Sequence, residues 1–187
     1  MEKAACWMAG AVVALVVVLR PGEAWAAAGS GAVALAAPLL AAAVMAVVTP
    51  PLVAADLAWR RLPNGMIAVG FAALTVSAAL GPRMPAVLLA ATGSFALFAL
   101  LRATGVVGMG DVKLAALLSG TLATADRGPT ALVAAMAGAL VMAVAAGGVL
   151  ALGQAARARV TNRAGPKTIA FGPALLFGFW VAYAALT

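Results

Sequence analysis

Apolar residues come in long unbroken runs, not in the alternation of a half-buried strand or the one-sided stripe of a soluble helix. The runs cover about 4 to 19, 33 to 55, 65 to 80, 85 to 103, 112 to 125, 130 to 152 and 168 to 186, and Gly, Pro or charged residues separate them. A bilayer-spanning helix takes about 20 apolar residues. The pattern therefore predicts an all-α polytopic membrane protein with about seven transmembrane helices. Seven such helices consume about 140 residues, which leaves only short connections in a chain of 187. The expectation is a single membrane domain over 1–187, without room for a separate soluble domain.

Three segments carry features of their own. The first, over 4–19, is followed by Ala24-Trp25-Ala26, which resembles a small-residue cleavage site, while Met1-Glu2-Lys3 lacks the positive excess of a signal peptide. It reads as an accessory first helix or as a signal peptide, and six crossings remain in the second case. The second segment contains Thr49-Pro50-Pro51 near its C-terminal end, where two prolines are expected to kink the helix and free backbone carbonyls just before Asp56. The fifth run of about 13 residues reaches only about 20 Å, against a hydrocarbon core of roughly 30 Å. It must extend, sit low or thin the bilayer.

Composition agrees with the pattern: 66% of residues are hydrophobic and 9% charged, with a mean hydropathy of +1.13. The net charge of +7 would suggest nucleic acid in a soluble chain, but the basic residues sit singly or in small groups between apolar runs, which is a topology signal instead. With the N-terminus in the cytoplasm and seven crossings, Lys3, Arg60, Arg61, Arg102, Lys113, Arg157, Arg159, Arg163 and Lys167 fall inside, and only Arg20, Arg83 and Arg127 fall outside. That distribution obeys the positive-inside rule. Alanine is so common that small-xxx-small spacing carries no information. The lone cysteine, Cys6, cannot form an internal disulfide and reads as a packing residue. The absence of histidine removes the HExxH metalloproteases and the Ser-His hydrolases, and leaves carboxylates, hydroxyls or lysine to do any chemistry.

There are five acids. Glu2, Glu23 and Asp126 lie at the chain end or in expected outer loops beside Lys3, Arg20 and Arg127, and read as incidental. Asp56 closes the second apolar segment and Asp111 opens the fifth, at bilayer margins where an ionisable group is costly. Two crossings separate them, so both carboxylates end on one face of the membrane. Each also reads as a plain boundary charge, Asp56 offsetting Arg60 at i+4 and Asp111 sitting at a helix N-terminus. The glycines in Gly108-Met109-Gly110, just before Asp111, allow close backbone approach to an extended peptide.

Asp56-Leu57-Ala58-Trp59-Arg60-Arg61-Leu62-Pro63-Asn64 resembles the D-x-x-x-R-x-[IL]-P-N stretch of type IV prepilin peptidases, and Gly108-Met109-Gly110-Asp111-Val112-Lys113-Leu114 resembles their G-x-G-D-V-K-L. Phe171-Gly172-Pro173 is similar to their P-F-G-P element, with Ala170 in place of the usual proline. Presenilin-like proteases share the Gly-x-Gly-Asp and the Pro-Ala-Leu found here at 173 to 175, but Ala55 stands where their Tyr-Asp element has tyrosine. The resemblance covers roughly 45 to 187. It implies a membrane aspartic endopeptidase of the Gly-x-Gly-Asp class, with 33–187 as peptidase core and Asp56 and Asp111 as catalytic pair. Larger members carry a cytoplasmic insert and also N-methylate the pilin. This chain has no room for that insert and looks like the minimal kind found beside Flp (tight-adherence) pilus systems.

The implied substrate is the leader of a prepilin or pseudopilin, cut at the cytoplasmic face of a bacterial or archaeal inner membrane: a short basic segment, a cleavage point usually after glycine, then an apolar helix. Two carboxylates sharing a water supply the general base and acid, so the mechanism asks for no metal and no cofactor, and the expected partners are the substrate and membrane lipids, with no nucleic acid. Lys113 follows Asp111 by two positions and points elsewhere, toward headgroups or a structural contact. Arg60, Arg61 and Arg102 are expected to reach lipid phosphates. Pro63-Asn64 is expected to start the third helix, while Gly172-Pro173 reads equally as site lining or as a helix start. The alternative function is a small proton-coupled transporter or a non-catalytic pilus-assembly membrane subunit, since carboxylates at helix ends also serve proton relays.

Overall fold

The computed structural model describes residues 32–80, 83–105, 107–125, 128–160 and 171–187. Every regular element among them is an α-helix: α1 Ala32–Trp59, α2 Asn64–Leu80, α3 Met84–Ala103, α4 Met109–Ala123, α5 Gly128–Val160 and α6 Gly172–Leu186. These follow the last six apolar runs closely, with α5 continuing past 152. The expected first helix over 4–19, Cys6, Ala24-Trp25-Ala26, the acids Glu2, Glu23 and Asp126, and Arg163, Lys167 and Ala170 lie outside the described residues.

Three helices are long and apolar enough to cross a bilayer, over Pro38–Trp59, Met84–Ala103 and Gly128–Gly153, and α2 and α6 are shorter apolar helices. Val47, Leu89, Leu100, Val133 and Val149 are exposed on the outer surface. Apolar exposure of that extent suits lipid and not water. Length alone therefore supports three crossings among the described residues.

The short fifth apolar run has a setting that its hydropathy does not reveal. Its helix α4 has 15 residues, about 22 Å at 1.5 Å per residue. It is the central helix, packed against each of the other five described helices. Val112 and Leu114 through Leu118 are all buried. A helix enclosed by protein meets side chains instead of lipid and has no hydrocarbon thickness to match.

Around α4, consecutive helices pack as antiparallel neighbours, α1 with α2, α3 with α4 and α5 with α6, and α6 also lies against α1 and α4. At Gly178 of α6 an added Cβ would overlap the carbonyl oxygen of Ala139 and lie 3.1 Å from the Ala143 nitrogen. The backbones of α5 and α6 touch there, as small residues permit. The prolines in α1 do not end that helix, which runs through Pro38, Pro50 and Pro51. The carbonyls of Ala46 and Val47 lose their helical donors because proline has no N–H. Beside them the Thr49 hydroxyl donates to the Met45 carbonyl at 2.6 Å and accepts from the Trp180 indole N–H at 3.2 Å, tying α1 to α6. At the far end of α4, Arg83 Nη1 donates to the Ala125 carbonyl at 2.9 Å and joins the α2–α3 and α4–α5 connections.

Candidate active site

The core-facing stripe of α1 reads Met45, Val48, Thr49, Leu52, Ala55 and Asp56, all buried, at the i, i+3, i+4, i+7 spacing of one helix face. Asp56 is thus a carboxylate at a position where packing asks for an apolar residue, and it is only 6% exposed. Its Oδ2 accepts a hydrogen bond from the Gly172 backbone N–H at 3.0 Å. Gly172 opens α6, so one of the unpaired donors of a helix N-terminus, with its partial positive charge, is spent on this carboxylate. Pro173 follows at the next position, where a missing N–H costs the helix nothing. The Arg60 guanidinium also acts electrostatically on Asp56.

Asp111 lies half-buried in the first turn of α4. Gly108 precedes the helix in an extended conformation, φ −78° and ψ 156°, and its N–H donates to Asp111 Oδ2 at 3.2 Å. This is the acid-to-backbone half of a capping box; glycine has no side chain to supply the other half. The chain leaves the end of α1, makes α2 and α3, and returns so that the start of α4 meets the end of α1. The two carboxylates interact electrostatically.

The α1–α2 connection closes the gap between them. Arg60 adopts φ 51°, a left-handed conformation that turns the chain sharply at a helix end and that few residues other than glycine adopt freely. Pro63 then accepts at its carbonyl from the N–H groups of Met66 and Ile67, at 3.2 and 3.3 Å, and starts α2. Asn64, the first residue of α2, accepts at Oδ1 from Lys113 Nζ at 3.2 Å. Lys113 therefore makes a structural contact between the two motif stretches. Between these anchors the Leu62 side chain lies against both Gly110 and Gly172. Asp56, Gly108, Gly110, Asp111 and Gly172 thus converge at one end of the bundle, with Asn64 and Lys113 alongside. Among the described residues no group of three or more His, Cys, Asp or Glu could hold a metal ion.

Residues 43–152, more than half of the chain, match the type IV leader peptidase family. The chain belongs to that family. The match takes in both aspartates and both motif stretches, and it bears out the resemblance to prepilin peptidases. No curated protein and no solved structure matches the chain. Family membership and the apolar helices together make this a multi-pass membrane protein and a leader-peptidase-like protease.

Gly172 and Pro173 lie beyond the stretch on which this leader peptidase matches its family; Gly172 reaches the site through its N–H on Asp56, and Pro173 follows it in the first turn of α6. Two further contacts of the peptidase were not read from the sequence. Leu62 stands inside a quoted motif, but its apolar side chain carries no chemical signal, and only the fold reveals that it touches two glycines. The Thr49–Trp180 bond joins residues 131 positions apart, and nothing in the two apolar runs pairs one residue with the other.

Proposed function

We propose that this leader peptidase is an aspartic endopeptidase that removes the leader of type IV prepilins or pseudopilins, with Asp56 and Asp111 as its catalytic pair. The observation that carries the reading is the convergence of two carboxylates from different helices, each accepting a backbone N–H from a glycine at 3.0 and 3.2 Å. Two carboxyls sharing one water hold one proton between them and titrate as a unit. The ionised member takes a proton from the water as its oxygen attacks the scissile carbonyl, and the protonated member gives its proton to the carbonyl oxygen. In the collapse the roles reverse: the first carboxyl protonates the leaving nitrogen and the second takes a proton from the diol. The proton count closes without a cofactor.

All the described helices cross the membrane in this reading, 33–187 is the peptidase core, and the carboxylates open to the cytoplasmic face of a bacterial or archaeal inner membrane. The charge distribution supports that orientation, since Arg60, Arg61, Arg102 and Lys113 all lie at the carboxylate end of the bundle. The test is co-expression of a Flp-type prepilin with the wild-type chain, Asp56→Asn or Asp111→Asn, read as shortening of the prepilin on a gel with membrane levels of each variant measured in parallel. Shortening by the wild type and by neither variant is the expected result. Full shortening by either variant removes the aspartic pair. No shortening of several well-inserted prepilins by the wild type favours the proton-coupled transporter or the assembly subunit.

A further inference from the structure

A methyl group built on Gly110 would lie 3.2 Å from both Cβ and Cδ1 of Leu62 and 3.4 Å from its Cγ, and one built on Gly172 would lie 3.4 Å from Leu62 Cδ2. Gly110 is the residue before Asp111, and Gly172 is the residue whose N–H holds Asp56. One aliphatic side chain therefore separates the two backbone segments that carry or hold the two carboxylates. We propose that Leu62 is a positioning residue that sets the spacing of Asp56 and Asp111. The proposal rests on the aspartic-pair reading above.

The side chain is suited to that task because its backbone is anchored on both sides. The left-handed turn at Arg60 fixes how the chain leaves α1, Pro63 fixes the entry into α2, and the Lys113–Asn64 hydrogen bond ties the start of α2 to α4. Leu62 is partly buried and packs against the hydrophobic core. The glycines are its complement: with Leu62 in place, a Cβ at 110 is tighter than ordinary contact, and one at 172 meets the Asp56 carboxylate at 2.8 Å. Truncating Leu62 leaves the starts of α4 and α6 free to approach, and each brings its carboxylate or its N–H donor with it. A misplacement of about 1 Å at reacting groups can cost about a hundredfold in rate.

The test uses the purified full chain in detergent, a prepilin substrate, and the variants Leu62→Ala and Leu62→Met, assayed well below the unfolding temperature of each. Leu62→Ala should lower kcat by about tenfold or more with KM within about twofold, and Leu62→Met, of nearly equal volume, should keep kcat within about threefold. The width of the bell-shaped pH profile should change by about half a unit or more in Leu62→Ala, because the coupling of two carboxyls depends on their separation. A merely structural leucine would lower the amount of folded enzyme and leave that width alone. Wild-type cleavage that requires both aspartates, together with full kcat or an unchanged profile in Leu62→Ala, overturns this proposal and spares the pair. Wild-type cleavage that survives Asp56→Asn or Asp111→Asn overturns the pair and the proposal with it.

Discussion

Replacing Gly172 by alanine puts a methyl group 2.8 Å from Asp56 Oδ2 and 3.3 Å from its Cγ. Ordinary contact begins at 3.4 Å, so the carboxylate must retreat by about 0.6 Å, a large distance on the steep wall of a non-bonded contact. The atom that gives way is the end of a side chain, and the helices need not move. The retreat stretches the 3.0 Å bond from the Gly172 N–H, a charge-assisted bond worth about 1.5–3 kcal/mol, which bounds the loss of stability. A misplacement of about 1 Å can cost a hundredfold in rate, so kcat should fall on the order of tenfold, about 1.4 kcal/mol of barrier. Gly108→Ala is the internal control, since its methyl meets Asp111 Oδ2 at 3.2 Å and the extended backbone there accepts alanine. It should stay within a few-fold of wild type. The assay is prepilin cleavage by purified protein in detergent, normalised to folded enzyme from thermal unfolding. Wild-type kcat in Gly172→Ala, or a larger loss in Gly108→Ala than in Gly172→Ala, would refute the link between Gly172 and the Asp56 carboxylate.

Two further outcomes concern stability, read from thermal or denaturant unfolding in detergent. Gly178→Ala must push α5 and α6 apart, because backbone atoms of Ala139 and Ala143 block the methyl, and it should cost about 3 kcal/mol or more; Gly138→Ala, with open space around the new Cβ, should be neutral or stabilise by about 0.5–1 kcal/mol, and equal effects would contradict the packing. Thr49→Val orphans the buried Trp180 indole N–H and should cost about 1–3 kcal/mol, whereas Thr49→Ser retains the hydroxyl and should stay close to wild type. A Thr49→Ser variant as unstable as Thr49→Val would mean that the methyl group matters and the hydrogen bond does not.

The helices were legible because lipid is an unforgiving solvent. Backbone groups must pair internally within an apolar segment, so each long apolar run reads as a helix whatever its neighbours do, and the six later runs fall on α1 to α6. What the runs could not convey is which helix the others surround. The fifth run is short, and read as a lipid-facing crossing it must extend, sit low or thin the bilayer; read as a helix inside a bundle it demands nothing. Hydropathy reports transfer out of water and says the same of lipid and of a protein interior. The Pro50-Pro51 pair frees two carbonyls as the sequence led one to expect, and the helix, held on its other faces, continues through both prolines.

The site was legible only as far as its chemistry is polar. In a chain where 9% of residues are charged, two aspartates at segment ends are conspicuous, and counting the apolar runs between them leads one to expect both at one end of the helices, which is where the structure has them. Asp56 carries a further signal in its register, since it continues the Met45, Val48, Leu52 face that turns inward. A carboxylate at the end of a buried stripe must find a donor. The donor is a backbone N–H at the start of α6, 116 positions away. A backbone N–H is invisible in sequence because every residue but proline has one. What marks Gly172 is the need for a residue without a Cβ where helix start and carboxylate touch. The same logic explains why Leu62 escaped notice: its role is to fill space between two glycines, and in an apolar sequence a leucine is conspicuous only once the empty places beside it are known.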